Sequence, residues 1–305
     1  MKVESSLICR LAKHLVVLSA IFLFSVAAFG QATTPNLLQI ADRYWMQPDV
    51  VYATANNTQL KLDVWYPRDN PNPTPTIVFF HGGGWVFGAK EGAVYQLLPY
   101  LERGWRAVNV EYRMAGNSLA PAAVEDARCA LRWVFSNAKQ WNFDTKKIVL
   151  TGQSAGGHLS LIAGMLPKGT SLDNQCYGDE DLKVAAIVNW YGISDVNDLL
   201  QGPNLRNYAV MWTGSQPDAD KIARQVSPLT YVRTGLPPII TIHGDKDSVV
   251  PYTQATRLKD ALDKAQVPNR LVTIKGGDHG MFTQEQYKTA YSEVWKFLQE
   301  NKVVD

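Results

Sequence analysis

Residues 147–158 read KIVLTGQSAGGH. The run Lys147-Ile148-Val149-Leu150 is short and largely apolar, as expected of a strand buried on both faces of a sheet. From Ala155 to Met165 apolar residues recur at three- and four-residue steps, which is the pattern of a helix. Between the two, Gly152-Gln153-Ser154-Ala155-Gly156 fits G-x-S-x-G. Glycines at those positions let the chain turn from strand to helix so sharply that the serine hydroxyl stands exposed. The plainer alternative is a serine that caps a helix N-terminus.

The same alternation extends along the chain. Val50-Val51-Tyr52 and the run from Leu60 to Tyr66 flank the turn residues Asn56-Asn57 and predict an opening hairpin. Short apolar runs at 76–80, 107–110, 147–150, 184–190, 238–242 and 270–274 predict strands. Residues 121–136, 155–165, 254–265 and 284–299 carry helical periodicity. Strands and helices in alternation predict an α/β fold with a mostly parallel sheet flanked by helices. The four prolines from Pro67 to Pro75 are expected in a surface loop rather than an interdomain linker, because little chain precedes them. Residues 193–236 form the longest interval between predicted strands, where a small lid has room.

The 305 residues are 46% hydrophobic and 19% charged, an ordinary globular composition. Lys2, Arg10 and Lys13 precede an uncharged stretch over 15–29 that ends in small residues. Residues 1–30 therefore read as a signal peptide, too short in its apolar part for a spanning helix, and 31–305 as a single catalytic domain. Residues 1–30 hold three Lys/Arg and one Glu, so the remainder carries 27 charges of each sign. That balance implies neither a nucleic-acid partner nor an anionic membrane. An exported chain, secreted or periplasmic, meets oxidising conditions, under which Cys129 and Cys176 either pair or remain two buried thiols.

A serine needs a base, a group that orients the base, and donors for a developing oxyanion. His81-Gly82-Gly83-Gly84-Trp85 follows the strand over 76–80, and its glycines free backbone N–H groups to converge. Of the five histidines, His14 falls in the leader, while His81, His158 and His243 read as structural. His279 sits in Gly276-Gly277-Asp278-His279-Gly280, after the last predicted strand, and such loops collect ligand groups in open parallel sheets. For the acid, the stretch His243-Gly244-Asp245-Lys246-Asp247 offers two carboxylates after a strand. Asp195 and Asp278 are weaker candidates.

Together H-G-G-G-W, G-x-S-x-G-G-H, H-G-x-x-D-x-x-V-P and a late G-x-x-H, in the order Ser, Asp, His, resemble the α/β-hydrolase superfamily. More narrowly, the chain resembles esterases related to hormone-sensitive lipase and bacterial bifunctional acetylxylan and feruloyl esterases. The resemblance implies a catalytic triad of Ser154, Asp247 and His279. It also implies an oxyanion hole built from the N–H groups of Gly83, Gly84 and Ala155, with Trp85 as a substitute donor. The implied chemistry is acyl transfer through an acyl-enzyme, without metal or organic cofactor. The larger N-terminal helical cap common among hormone-sensitive-lipase relatives is not expected in this chain, a departure that weakens substrate inference from that branch.

Trp85, Trp190 and Trp212 fall near predicted loops or strand ends and are expected to offer an aromatic platform to substrate. The expected substrates are acetyl or feruloyl esters of plant polysaccharides. Small lipid-like esters, amides or peptides, and a non-catalytic binding protein on the same fold, are the rival readings.

Overall fold

In the computed structural model, residues 37–176 and 178–305 are described. The stretch read as a signal peptide lies outside them. Among the described residues no helix is long and apolar enough to cross a membrane.

A short helix, α1 (Leu37–Arg43), leads into the hairpin β1 (Tyr44–Ala55) and β2 (Thr58–Pro67). Its turn residues Asn56 and Asn57 both take positive φ, 49° and 59°, the conformation of a tight hairpin turn that matches strand twist. The parallel core follows as β3 (Thr74–Phe80), β4 (Arg106–Val110), β5 (Phe143–Gln153), β6 (Ala186–Trp190), β7 (Ile239–Gly244) and β8 (Asn269–Ile274). The eight strands lie in the order β1-β2-β4-β3-β5-β6-β7-β8. Only the pairings of β2 with β1 and with β4 are antiparallel. This is the α/β-hydrolase architecture that the resemblance implied.

The helices are α2 (Val94–Leu101), α3 (Ala122–Ser136), α4 (Ala138–Trp141), α5 (Ala155–Met165), α6 (Asn207–Thr213), α7 (Ala219–Gln225), α8 (Thr253–Lys264) and α9 (Gln284–Glu300). Strand alternation divides the core between the two faces of the sheet. Val78, Phe80 and Leu150 pack on one face with Leu131 of α3 and Leu159 of α5. Ile77, Phe79 and Val149 pack on the other with Leu97 of α2 and Val294 of α9. Both faces being covered explains why β4, β6 and β7 are buried at every residue.

The proline-rich stretch, expected as a loop from Pro67 to Pro75, is a loop over 68–73 only, with Pro67 ending β2 and Pro75 lying in β3. It is held from beneath by Arg106, 2% exposed, which donates from Nη1 to Asn72 O and from Nη2 to Asn70 O. Cys129 of α3 and Cys176 are joined in a disulfide, which decides between the two states left open by sequence. Residues 193–236 hold α6, α7 and several 3-10 turns.

Candidate active site

The parallel strands end on one side, and the candidate residues lie just past those ends. Ser154 stands between β5 and α5 with φ 55° and ψ −118°. Its N–H donates to Trp190 O on β6 at 2.9 Å, and its carbonyl accepts from His158 N at 3.0 Å. The turn is tight because α5 runs directly against β3. A Cβ on Gly156 would fall on the carbonyl oxygens of Phe80 and His81, and one on Gly152 would strike Phe80 O and Gly156 O. Only glycine fits at either position.

The loop after β3 approaches from the neighbouring strand. Gly83 and Gly84 have φ of 123° and 60°, open to glycine and strained for other residues. Among the described residues, the N–H groups of Gly83, Gly84 and Ala155 have no acceptor within the chain. These are the three amides named from sequence, and Ala155 supplies the first N–H of α5, at the positive end of that helix's dipole.

His279 follows β8, and its Nδ1 lies 2.7 Å from Asp247 Oδ2. The Asp247 side chain is fully buried and that of His279 is 17% exposed. Asp247 Oδ1 accepts the N–H groups of Val249 and Val250 at 2.9 and 2.8 Å. Burial alone would raise the Asp247 pKa. Hydrogen bonds from His243 and His279, with the backbone donor Val250, outweigh it and hold the carboxyl well below the usual carboxylate range. The rival carboxylates are engaged elsewhere. Asp245 accepts from Gly276 N, Asp195 pairs with Arg257, and Asp278 binds Ser248 and the His279 N–H.

Ser154 and His279 line one cavity of about 340 Å³ with Gly82, Gly83, Gly84, Phe87, Gln153, Tyr191, Tyr208 and Val249. Among the described residues no hydrogen bond joins the Ser154 hydroxyl to His279. The Tyr191 ring lies edge-on to His279 at 4.6 Å between centroids. Tyr208, from α6 in the 193–236 segment, closes one wall and packs over Gly84.

The tryptophan platform needs correction. Trp85 and Trp212 are fully buried and Trp190 is 3% exposed, and none of the three lines the cavity. Trp85 and Trp212 stack at 4.2 Å beneath the glycine loop, and the Trp85 Nε1–H donates to His158 Nδ1 at 3.2 Å. Trp190 packs against Tyr291 of α9. Their large apolar area goes into core packing. The aromatic groups that reach the cavity are Phe87, Tyr191 and Tyr208, which sequence reasoning did not select. The position of Phe87, three residues after Gly84 in the same loop, was the available signal.

His158 is structural, as expected: its Nε2 donates to Val226 O at 2.7 Å. His81 stacks on Tyr112 at 4.3 Å with Nδ1 against Gly82 O.

Residues 62–262 match the family described as BD-FAE. The chain belongs to the BD-FAE family. This BD-FAE chain is 30% identical over 228 residues to Esterase LipC of Mycobacterium tuberculosis, covering 72% of the chain and 56% of LipC. It is 30% identical over 246 residues to the probable carboxylic ester hydrolase LipM of the same organism, covering 77% and 57%. The chain thus spans little more than half the length of these relatives. Among solved structures it is similar to the Thermogutta terrifontis esterase Est2, with 29% identity, a TM-score of 0.68, and coverage of 83% of this chain and 91% of that one. A truncated carbohydrate esterase from gut microbiota aligns with a TM-score of 0.70 at 27% identity, over 85% and 96%.

Proposed function

We propose that this chain is a serine carboxylic-ester hydrolase in which Ser154, His279 and Asp247 form the triad. The observation that carries the reading is the 2.7 Å pair of His279 with a buried Asp247, facing a cavity shared with Ser154. His279 takes the Ser154 proton through Nε2 as the hydroxyl attacks an ester carbonyl, while Asp247 holds the ring and stabilises its cation. The N–H groups of Gly83, Gly84 and Ala155, free of acceptors among the described residues, receive the oxyanion. The protonated ring then passes its proton to the departing alcohol, leaving an acyl-serine. Water, deprotonated by the same imidazole, cleaves that acyl-serine and releases the acid.

The substrates in this reading are acetyl or feruloyl esters of polysaccharides, hydrolysed outside the cytoplasm. Support comes from the family, from the similarity to a carbohydrate esterase, from the leader-like residues 1–30, and from a disulfide that favours an oxidising compartment. A generalist short-chain esterase is the second reading. It is favoured by the structures of Est2 with propionate and butyrate bound and by the apolar side chains around Ser154.

A chromogenic acetate ester tests the chemistry. Ser154→Ala is expected to lose roughly four to six orders of magnitude in kcat, and equal rates in wild type and variant would refute the triad. The acids released from acetylated and feruloylated xylan, compared with acetate and butyrate model esters, separate the two substrate readings. Preferential release from xylan supports the first, and equal slow rates on all support the second.

A further inference from the structure

The Asp247 carboxylate has more partners than orienting one imidazole requires. Besides His279 and two backbone amides, His243 Nε2 lies 3.2 Å from Oδ2, the oxygen that His279 also uses. The same Nε2 lies 3.0 Å from Val250 O. Both neighbours are acceptors, so this nitrogen carries the proton. Among the described residues His243 Nδ1 has no partner, and the side chain is fully buried. A second proton there would be a buried donor with nothing to accept it. The chain reverses after β7 through Asp247 N donating to Gly244 O at 3.3 Å, which folds the acid back over the histidine four residues earlier.

We propose that His243 is a positioning residue for this site: its single N–H, bonded to the Val250 carbonyl and 3.2 Å from Asp247 Oδ2, steadies the carboxylate and limits the charge it presents to His279. The inference rests on the triad reading above. It also gives His243 a task beyond the structural one assigned from sequence.

The other charged and titratable groups around the pair leave this role to His243. Asp245 accepts the Gly276 N–H and Asp278 accepts the N–H groups of Ser248 and His279, and Lys246 is exposed. Arg206 donates from Nε to Val249 O. Burial, with a smaller contribution from the Asp247 charge, pushes the Tyr191 and Tyr208 phenols up and keeps them neutral. Tyr287, beyond Tyr191, donates to Gly280 O. Tyr252 meets the His243 ring edge-on at 5.6 Å. Among the described residues, only His243 and His279 bring side-chain donors to Asp247.

The test compares wild type, His243→Leu and His243→Gln per competent site, with sites counted by stoichiometric labelling with a p-nitrophenyl phosphonate. His243→Leu removes the N–H at similar volume and is expected to lower kcat by up to about a hundredfold with KM little changed. It should also move the acid limb of the kcat/KM profile to higher pH by about half to one unit, because a carboxylate relieved of one donor holds the His279 proton more strongly. His243→Gln keeps an amide donor at the same reach and should return the limb toward its wild-type position. An unmoved limb in His243→Leu, or an equal displacement in His243→Gln, overturns the proposal. If His243→Leu gives no labelled sites, imidazole ¹⁵N spectra of the wild type decide: the proposal requires the His243 proton on Nε2, and a proton on Nδ1 at neutral pH overturns it. Failure of the triad reading would look different, since the wild-type Ser154 would then escape the phosphonate.

Discussion

Ser154 occupies φ 55° and ψ −118°, a conformation that costs a residue with a side chain about 1–3 kcal/mol and costs glycine little. The turn is imposed by its surroundings: the hydrogen bond to Trp190 O, and glycines at 152 and 156 that allow β3 and α5 to close on it. Ser154→Gly should therefore melt about 2 °C or more above Ser154→Ala in thermal scans, although both lack the hydroxyl. A lower melting temperature for the glycine variant would show that the turn is unstrained. At this scale residue type and spacing singled out Ser154 and His279, which share one cavity, while the choice of Asp247, which pairs with His279, over Asp245 came from the resemblance. The sequence was unreadable for Trp85, Trp190 and Trp212. A tryptophan beside a glycine loop serves a platform or a core equally well, and only burial tells the two apart.

At the scale of elements, periodicity identified the long helices and the doubly buried strands because their burial patterns repeat along the chain. It did not find α2, which contains Pro99, or the short helices of 193–236. Those turns are fixed by distant partners, such as Trp212 on Trp85, and carry little local signal. α5 also brings a titratable group into the core. Burial depresses the His158 pKa from 6.5 to about 4, against a smaller opposing effect of the Val226 carbonyl. Between those values the unfolded chain binds a proton that the folded chain refuses. Stability is then complete above pH 6.5 and falls as pH drops toward 4, by about 3 kcal/mol. Denaturant melts across this window should show the fall, and His158→Gln, which keeps a donor for Val226 O, should flatten it. Asp247 adds its own loss only lower still, because its depressed folded pKa makes its contribution vanish below the ordinary carboxylate range.

For the whole molecule, the sheet order brings together groups from β3, β5, β7 and β8 that are far apart in the chain. That convergence followed from the alternation of strands and helices, since crossovers of one hand align the strand ends. The cysteine pairing did not follow, because two thiols 47 residues apart reveal nothing of their distance until α3 and the segment after α5 are placed. Closing a loop of that length stabilises the fold by about 4 kcal/mol in the chain-entropy view. The double replacement Cys129→Ser with Cys176→Ser should lose about that much in urea melts, and an unchanged midpoint would show that the bond adds no constraint.

The same bond has a consequence for cleavage. Ser154 and all of α5 lie inside the ring closed by Cys129 and Cys176, and Lys168 lies exposed on that ring beyond α5. A tryptic nick after Lys168 should leave one band on a non-reducing gel and two fragments once dithiothreitol is added. A proteinase cutting there would leave the serine tethered to its own carboxyl-terminal half.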